Sequence, residues 1–439
     1  MSFLSLLCYS CCFFFSSTAL SIQTILLTPI SKDPSTLQYT TTVYHKTPLK
    51  PTKLLLDLGA SFCWIDCEKN YKSLTYHPIP CKTSLCASLN SSACSNCYNA
   101  PGPDCANNTC ALFPENPVTR KAALANALRD SLALSTTDGR NPGRLAIIPD
   151  FVFSCARTTL LKGLANGVTG LAALGRSSFS LSAQISTAMS SPFLFTLCLS
   201  GSPSAPGVAF FGTRGPYFFL PDAELSKSLV YTPLLVNPVG NTVITYSGQP
   251  SDEYFIGVTA VNVNGKAVRL NETLLAIDQN GNGGTKISTV VPYTTMESSI
   301  YKAFTEAFSR EAAAVNLTVT KPVKPFNVCF QSEDVSSTRV GPAVPVVDLV
   351  MESEDVFWRI FGANSMVRIV GEDEDVWCLG FVDGGANART GIVIGGYQME
   401  DNLVEFDLGL KRFGFSSSVL IQQTSCANFN FTTNNKIAF

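Results

Sequence analysis

The chain has 439 residues, 15% of them charged, and a formal net charge of −2. That length accommodates two or more domains with a substantial core, while the sparse, balanced charge excludes a nucleic-acid footprint and a polyanionic tail. Gly (30) and Pro (25) beside many Ser, Thr, Val and Phe favour short strands joined by turns over bundled helices, so a mainly β protein is expected.

Residues 1–21, opening MSFLSLLCYSCCFFFSSTAL, join a short apolar core to small residues and read as a signal peptide, although no Lys or Arg stands near Met1. No later run of about 18 apolar residues occurs, so secretion without a membrane anchor is expected. Residues 22–27 and 38–44 alternate as strands and lead through a Pro-punctuated turn, 47–51, into LLLDLGASFCWIDC at 54–67. This stretch reads as a buried strand ending at Asp57, a tight turn, and a second strand paired back on the first. Asp57 is then either a turn carboxylate that bonds nearby amides or one half of an acid/base pair.

Of the 16 cysteines, Cys8, Cys11 and Cys12 fall in the leader and thirteen remain. Cys81, Cys86, Cys94, Cys97, Cys105 and Cys110 crowd a loop rich in Asn, Ser, Pro and Gly. Cys94 and Cys97 have CxxC spacing, but neither His45 nor His77 lies in the cluster, and a secreted chain oxidises its thiols. A disulfide-stapled loop, without metal or cofactor, is expected. An odd count leaves one thiol over, with Cys63 as the candidate. Sequons at Asn90, Asn107, Asn271, Asn316 and Asn430 suit a glycosylated, secreted chain.

Residues 113–134 carry Ala-rich helical propensity inside a β-rich region. Strands resume at 145–156, followed by a glycine-punctuated apolar run at 167–175, a short helix at 180–185, and strands FLFTLCLSG and VAFFG. A lobe boundary is expected within 213–226, dividing the mature chain into 22–215 and 216–439. The second part brings VYTPLLV, then YFIGVTAVNVNGKAV with an Asn264-Gly265 hairpin signal. A β-branched run, 285–291, precedes a helix with Ile300, Phe304, Ala307 and Phe308 on one face. VVDLVM, DVFWRIF and VWCLGFV are further strands. Each half thus holds a strand-turn (57–61; 285–291) followed about a hundred residues later by an apolar run into glycine (170–175; Gly395-Gly396). Such repetition indicates two similar lobes with a cleft between them.

This layout, with the ending LVEFDLGLKRFGFS, resembles the pepsin-like aspartic proteases of plants over almost the whole mature chain. The resemblance implies a bilobal fold of two β-barrel-like lobes. In that family two Asp-Thr/Ser-Gly turns place carboxylates about 3 Å apart, sharing a proton. Here Asp57-Leu58-Gly59-Ala60-Ser61 fills the first turn, and Ser288 stands where the second Asp is expected, with Val290 in place of its Gly. Asp278, upstream, reads as a turn residue. The Tyr-Gly-Asp-Gly flap is also missing, since residues 119–134 hold neither Tyr nor Gly. Asp57 is therefore expected to be vestigial.

The stretches CALFPENPVTR, GGTKIST, ESSIYKAF, WRIFGANSMV, CLGFVDGGANART and CANFNF resemble more closely the inactive subgroup of basic 7S globulins and inhibitors of xylanases and xyloglucan-specific endoglucanases. That resemblance implies disulfides Cys67–Cys155, Cys81–Cys86, Cys94–Cys110, Cys97–Cys105, Cys198–Cys426 and Cys329–Cys378, leaving Cys63 free. It also implies a monomer that inserts a loop into the carboxylate-lined cleft of a plant or microbial glycoside hydrolase. Arg339, in SEDVSSTRVGPAVP, matches an inhibitory Arg and can pair with two acids bidentately. Gln422 falls where the subgroup has a second Arg, and brings no charge. An atypical aspartic endopeptidase and a globulin-like binding or storage protein are the alternatives.

Overall fold

A computed structural model describes residues 25–69, 71–91, 93–244, 248–353, 355–371 and 374–433; the expected signal peptide lies outside them. Six antiparallel strands form the backbone of the molecule. Ile25–Lys32 pairs with Gly207–Phe211, which pairs with Leu194–Cys198. Leu194–Cys198 then pairs with Leu403–Asp407, followed by Arg412–Phe415 and Val230–Leu235. Three strands come from each half of the chain. At the seam Phe195 stacks on Phe406 with centroids 4.8 Å apart, a contact worth roughly 0.5–1.5 kcal/mol beyond simple burial.

Above this sheet the two halves repeat one topology. In the first, Gly170–Ala173 lies between Lys50–Asp57, which it pairs in parallel, and Trp64–Asp66, which it pairs antiparallel. In the second, Ile392–Ile394 lies in the same way between Thr285–Ile287 and Thr294–Met296. The expected hairpin at Asp57 is thereby corrected: the strands flanking that turn do not pair with each other. A third strand, more than a hundred residues away in sequence, takes the position between them. Local alternation cannot reveal it, because such a strand competes through burial from both sides.

The Ala-rich stretch is a strand, Ala125–Thr137. It is paired with five other strands and buried along most of its length, so tertiary pairing overrides its helical propensity. Helices form where local signals agree. Ser180 caps Leu181–Met189 by accepting from the Ala183 amide. The Glu297 carboxylate caps Ser298–Ala314, whose Ile300, Phe304, Ala307 and Phe308 are buried. Asn264 and Gly265 have φ of 52° and 76°, the paired positive values of a tight hairpin turn between Ala260–Val263 and Lys266–Ala267.

The structure joins Cys67 to Cys155, Cys97 to Cys105, Cys198 to Cys426 and Cys329 to Cys378. It corrects the other two expected pairs. Cys81 is bonded to Cys94 and Cys86 to Cys110, rather than Cys81 to Cys86 and Cys94 to Cys110. The short helix Ser84–Ser88 turns Cys86 inward, and Cys86 and Cys110 bury together with Ile79 and Leu112. Cys94, on the exposed side of its strand, is left to meet Cys81. Cys63 is the free cysteine among the described residues, and burial pushes its thiol up to about 12.

Candidate functional site

A cavity of about 630 Å³ opens between the halves, with Asp57 and Ser288 both in its wall. Backbone bonding gives these two residues the same place in their respective repeats. The Gly59 amide donates to Asp57 Oδ1 at 2.8 Å, and the Val290 amide donates to Ser288 Oγ at 3.2 Å, each from two residues further on. Gly175 donates to Ala60 O, three residues after Asp57. Gly396 donates to Val291 O, three residues after Ser288. A Cβ on Gly175 would lie 2.5 Å from the Ala60 oxygen, which explains why the apolar run ends in glycine there.

The two turns are tied together asymmetrically. Thr289 Oγ1 donates to Leu56 O at 2.8 Å and accepts from the Leu58 amide at 3.3 Å. Leu58 is fully buried and has no hydroxyl with which to return the bond. Asp57 itself is 8% exposed. Burial foremost pushes its carboxyl up to about 6; the Glu253 charge adds to this, while the Gly59 amide and the Lys286 ammonium oppose it.

Sequence reasoning missed the charged pair beside Asp57. Lys286 Nζ lies 2.6 Å from Glu253 Oε1, and both side chains line the cavity. The available signal was strand alternation, since Lys286 and Ser288, two residues apart, share a face. Phe62, Phe113 and Phe179 provide apolar wall. The hairpin overlying the cavity is also earlier than the 119–134 expected: it pairs Glu115–Asn116 with Lys121–Ala122 and presents Glu115, Pro117 and Arg120 to the cavity.

Asp278 sits in an exposed turn, where its Oδ1 accepts from the Asn280 and Asn282 amides, both at 2.8 Å, and it does not line the cavity. Arg339 is exposed at the tip of the hairpin Ser337–Thr338/Gly341–Pro342. Gln422 is half-buried in the single helical turn Val419–Gln422. Neither belongs to the cavity wall, so the structure brings Asp57 and Ser288 together and leaves these two on outer segments.

A six-stranded sheet shared by two halves, each with the same crossed strand-turn and with a cleft between the turns, defines a two-domain pepsin-like protein. Family models described as "Xylanase inhibitor N-terminal" and "Xylanase inhibitor C-terminal" match residues 39–213 and 253–417. The chain is 51% identical over 410 residues to "Probable aspartic proteinase GIP2" of Nicotiana benthamiana, covering 93% of this chain and 92% of the relative. It is 53% identical over 408 residues to "Probable aspartic proteinase GIP1" of Glycine max, with the same coverage. Among solved structures, the crystal structure of "edgp" superposes with a TM-score of 0.90 at 52% identity, covering 93% of this chain and 98% of that one. The chain belongs to the xylanase-inhibitor family of aspartic protease-like proteins, with the gamma conglutins and basic 7S globulins as more distant relatives.

Proposed function

We propose that the chain is a secreted, catalytically disabled aspartic protease homologue that inhibits a cell-wall glycoside hydrolase, an endoglucanase or a xylanase, in the plant apoplast as part of defence. The observation that carries this reading is Ser288 in the place equivalent to Asp57. A hydroxyl with an alcohol's acidity cannot share a proton with a carboxylate at useful pH, so Asp57 is left as a vestigial acid. The family descriptions supply the inhibitory direction.

In this reading the working surface lies on outer loops of the C-terminal lobe, taken as 216–439, with the N-terminal lobe as 22–215. Arg339, exposed and without a bonded partner among the described residues, inserts between the target's two acids, and Gln422 contributes a neutral contact. The protein acts as a monomer. Glycans are carried by the exposed Asn90, Asn107, Asn271 and Asn316 and the half-buried Asn430. Titration against a panel of endoglucanases and xylanases should find a target that loses activity stoichiometrically, with Arg339→Ala weakening the inhibition at least tenfold. A panel without any inhibited enzyme would favour a globulin-like binding or storage role instead.

The two plant relatives, each named a "Probable aspartic proteinase", favour a second reading, an atypical aspartic endopeptidase. Pepstatin-sensitive cleavage of a protein substrate between about pH 3 and 5, abolished by Asp57→Asn, would establish that activity and sink the disabled-scaffold reading.

A further inference from the structure

The cavity beside Asp57 has a roof as well as a floor. The Val243 amide donates to Glu115 Oε2 at 2.7 Å, Glu115 Oε1 pairs with Arg120 at 2.7 Å, and the Arg120 guanidinium also donates to the Asn241 carbonyl. These bonds join the hairpin of the first half to residues 241–243 of the second, across the mouth of the cleft. Both sides are anchored. The Trp64 indole donates to Glu115 O at 3.0 Å, and Arg389 holds the Val239 and Gly240 carbonyls at 2.9 and 3.1 Å.

We infer that this roofed chamber binds a compact, uncharged, polyhydroxylated ligand of mono- to disaccharide size, and that the strap over it excludes an extended polypeptide. Its volume, about 630 Å³, falls within the roughly 300–1,000 Å³ typical of small-ligand sites. Charge excludes an anion, because Lys286 is already paired with Glu253 and Arg120 with Glu115. Four carboxylates, Asp57, Glu115, Asp252 and Glu253, face two cations, Lys286 and Arg120, in the wall, so a cation is the competing ligand class, and agmatine tests it. The bonding at Asp57 favours neutral recognition. Asp57 is more than nine-tenths buried, and among the described residues only its Oδ1 is bonded, to the Gly59 amide, so its second oxygen is available to a hydroxyl. The half-buried rings of Phe62, Phe113 and Phe179 offer apolar faces. A sugar ring presents both surfaces that this wall matches, a hydroxyl edge and a C–H face.

This inference does not depend on the inhibitory role of Arg339, and its test leaves that loop intact. Cellobiose, xylobiose, agmatine and an uncharged hexapeptide are titrated into the full chain by calorimetry, with saturation-transfer NMR as a second readout. The expected result is saturable binding of at least one disaccharide, none of agmatine or the hexapeptide, and a loss of at least tenfold in affinity in both Asp57→Asn and Ser288→Phe, the latter filling the cavity. In the double variant Glu115→Ala/Arg120→Ala, which removes both side chains that tie the strap, the hexapeptide gains access. Failure of both disaccharides to bind a folded wild-type chain would overturn the assignment. Binding unchanged in Asp57→Asn, or wild-type binding of agmatine or the hexapeptide, would overturn it equally, and Asp57→Asn keeps the test decisive if Ser288→Phe does not fold.

Discussion

The Leu58 amide and Thr289 Oγ1 are joined at 3.3 Å across the centre of the molecule, and the same hydroxyl donates to Leu56 O at 2.8 Å. One threonine thus satisfies two backbone groups of the opposite half, while the equivalent position in that half is a buried leucine. Thr289→Val keeps the shape and removes both bonds, leaving a buried amide and carbonyl unpaired. We expect a loss of about 2–3 kcal/mol in denaturant unfolding. An unchanged midpoint would show that the halves are held by the shared sheet alone.

Asp57 makes stability depend on pH in a direction opposite to that of most carboxylates. Its folded-state carboxyl is raised from 3.8 to about 6, so protonation favours the folded form. The contribution is fully present below about pH 4 and is lost as pH rises through 6. Asp57→Asn removes this titration. Relative to wild type, the variant should gain up to about 3 kcal/mol between pH 4 and pH 7. Parallel stability curves for the two proteins would show that Asp57 titrates normally.

His45 has the opposite slope. It is fully buried, its two ring nitrogens lack bonded partners among the described residues, and it packs edge-on against Phe153 with centroids 4.9 Å apart. Burial foremost, with Lys46 beside it, lowers its pKa from 6.5 to about 4 against the opposing charge of Asp130. Its contribution is therefore present above about pH 6.5 and lost as pH falls towards 4. Between pH 4 and 6 the Asp57 and His45 terms offset each other, so each is read from its own variant against wild type rather than from the wild-type curve. His45→Phe keeps the ring contact and should gain up to about 3 kcal/mol relative to wild type on acidification from pH 7 to 4. Equal acid limbs for the two proteins would contradict the burial of a neutral imidazole.

Much of this architecture is legible in the sequence where a signal is local. The short helix expected at 180–185 forms as Leu181–Met189, the face of Ile300, Phe304, Ala307 and Phe308 is the buried face of Ser298–Ala314, and Asn264-Gly265 makes its turn. The echo between the halves is real because each glycine-ended run must pack its backbone on a turn, as Gly175 does on Ala60. Partners distant in sequence were not legible. Nothing near Asp57 announces that residues 170–173 lie between its flanking strands. Nothing near Lys286 points to Glu253, 33 residues away. Residues 113–134 carry helical propensity, yet five strands pair with Ala125–Thr137. In each case the deciding energy is burial and pairing supplied by another part of the chain.

The cysteine loop is the sharpest instance, since six thiols allow fifteen connectivities and spacing alone cannot choose among them. The structure chooses by burial: Cys86 and Cys110 share an apolar cluster, while Cys81 takes Cys94. Trypsin cuts after Lys82, and chymotrypsin cuts after Leu89, so a non-reducing double digest separates Cys81, Cys86 and Cys94. Cys94 stays on one fragment with Cys97, and Cys105 on one with Cys110, so the pairing of the structure links all four fragments in a single species. A separate two-peptide species of the Cys81 and Cys86 fragments would restore the sequential pairing. Joint replacement of Cys86 and Cys110 by Ala should cost about 3 kcal/mol through the freed unfolded chain, and more if the inner cluster loosens with it. Replacement of Cys97 and Cys105, which close a loop of 8 residues, should cost less, because loop-closure entropy falls with length. Equal losses from the two double variants would show that packing around the sulfurs, rather than the tether, sets their value.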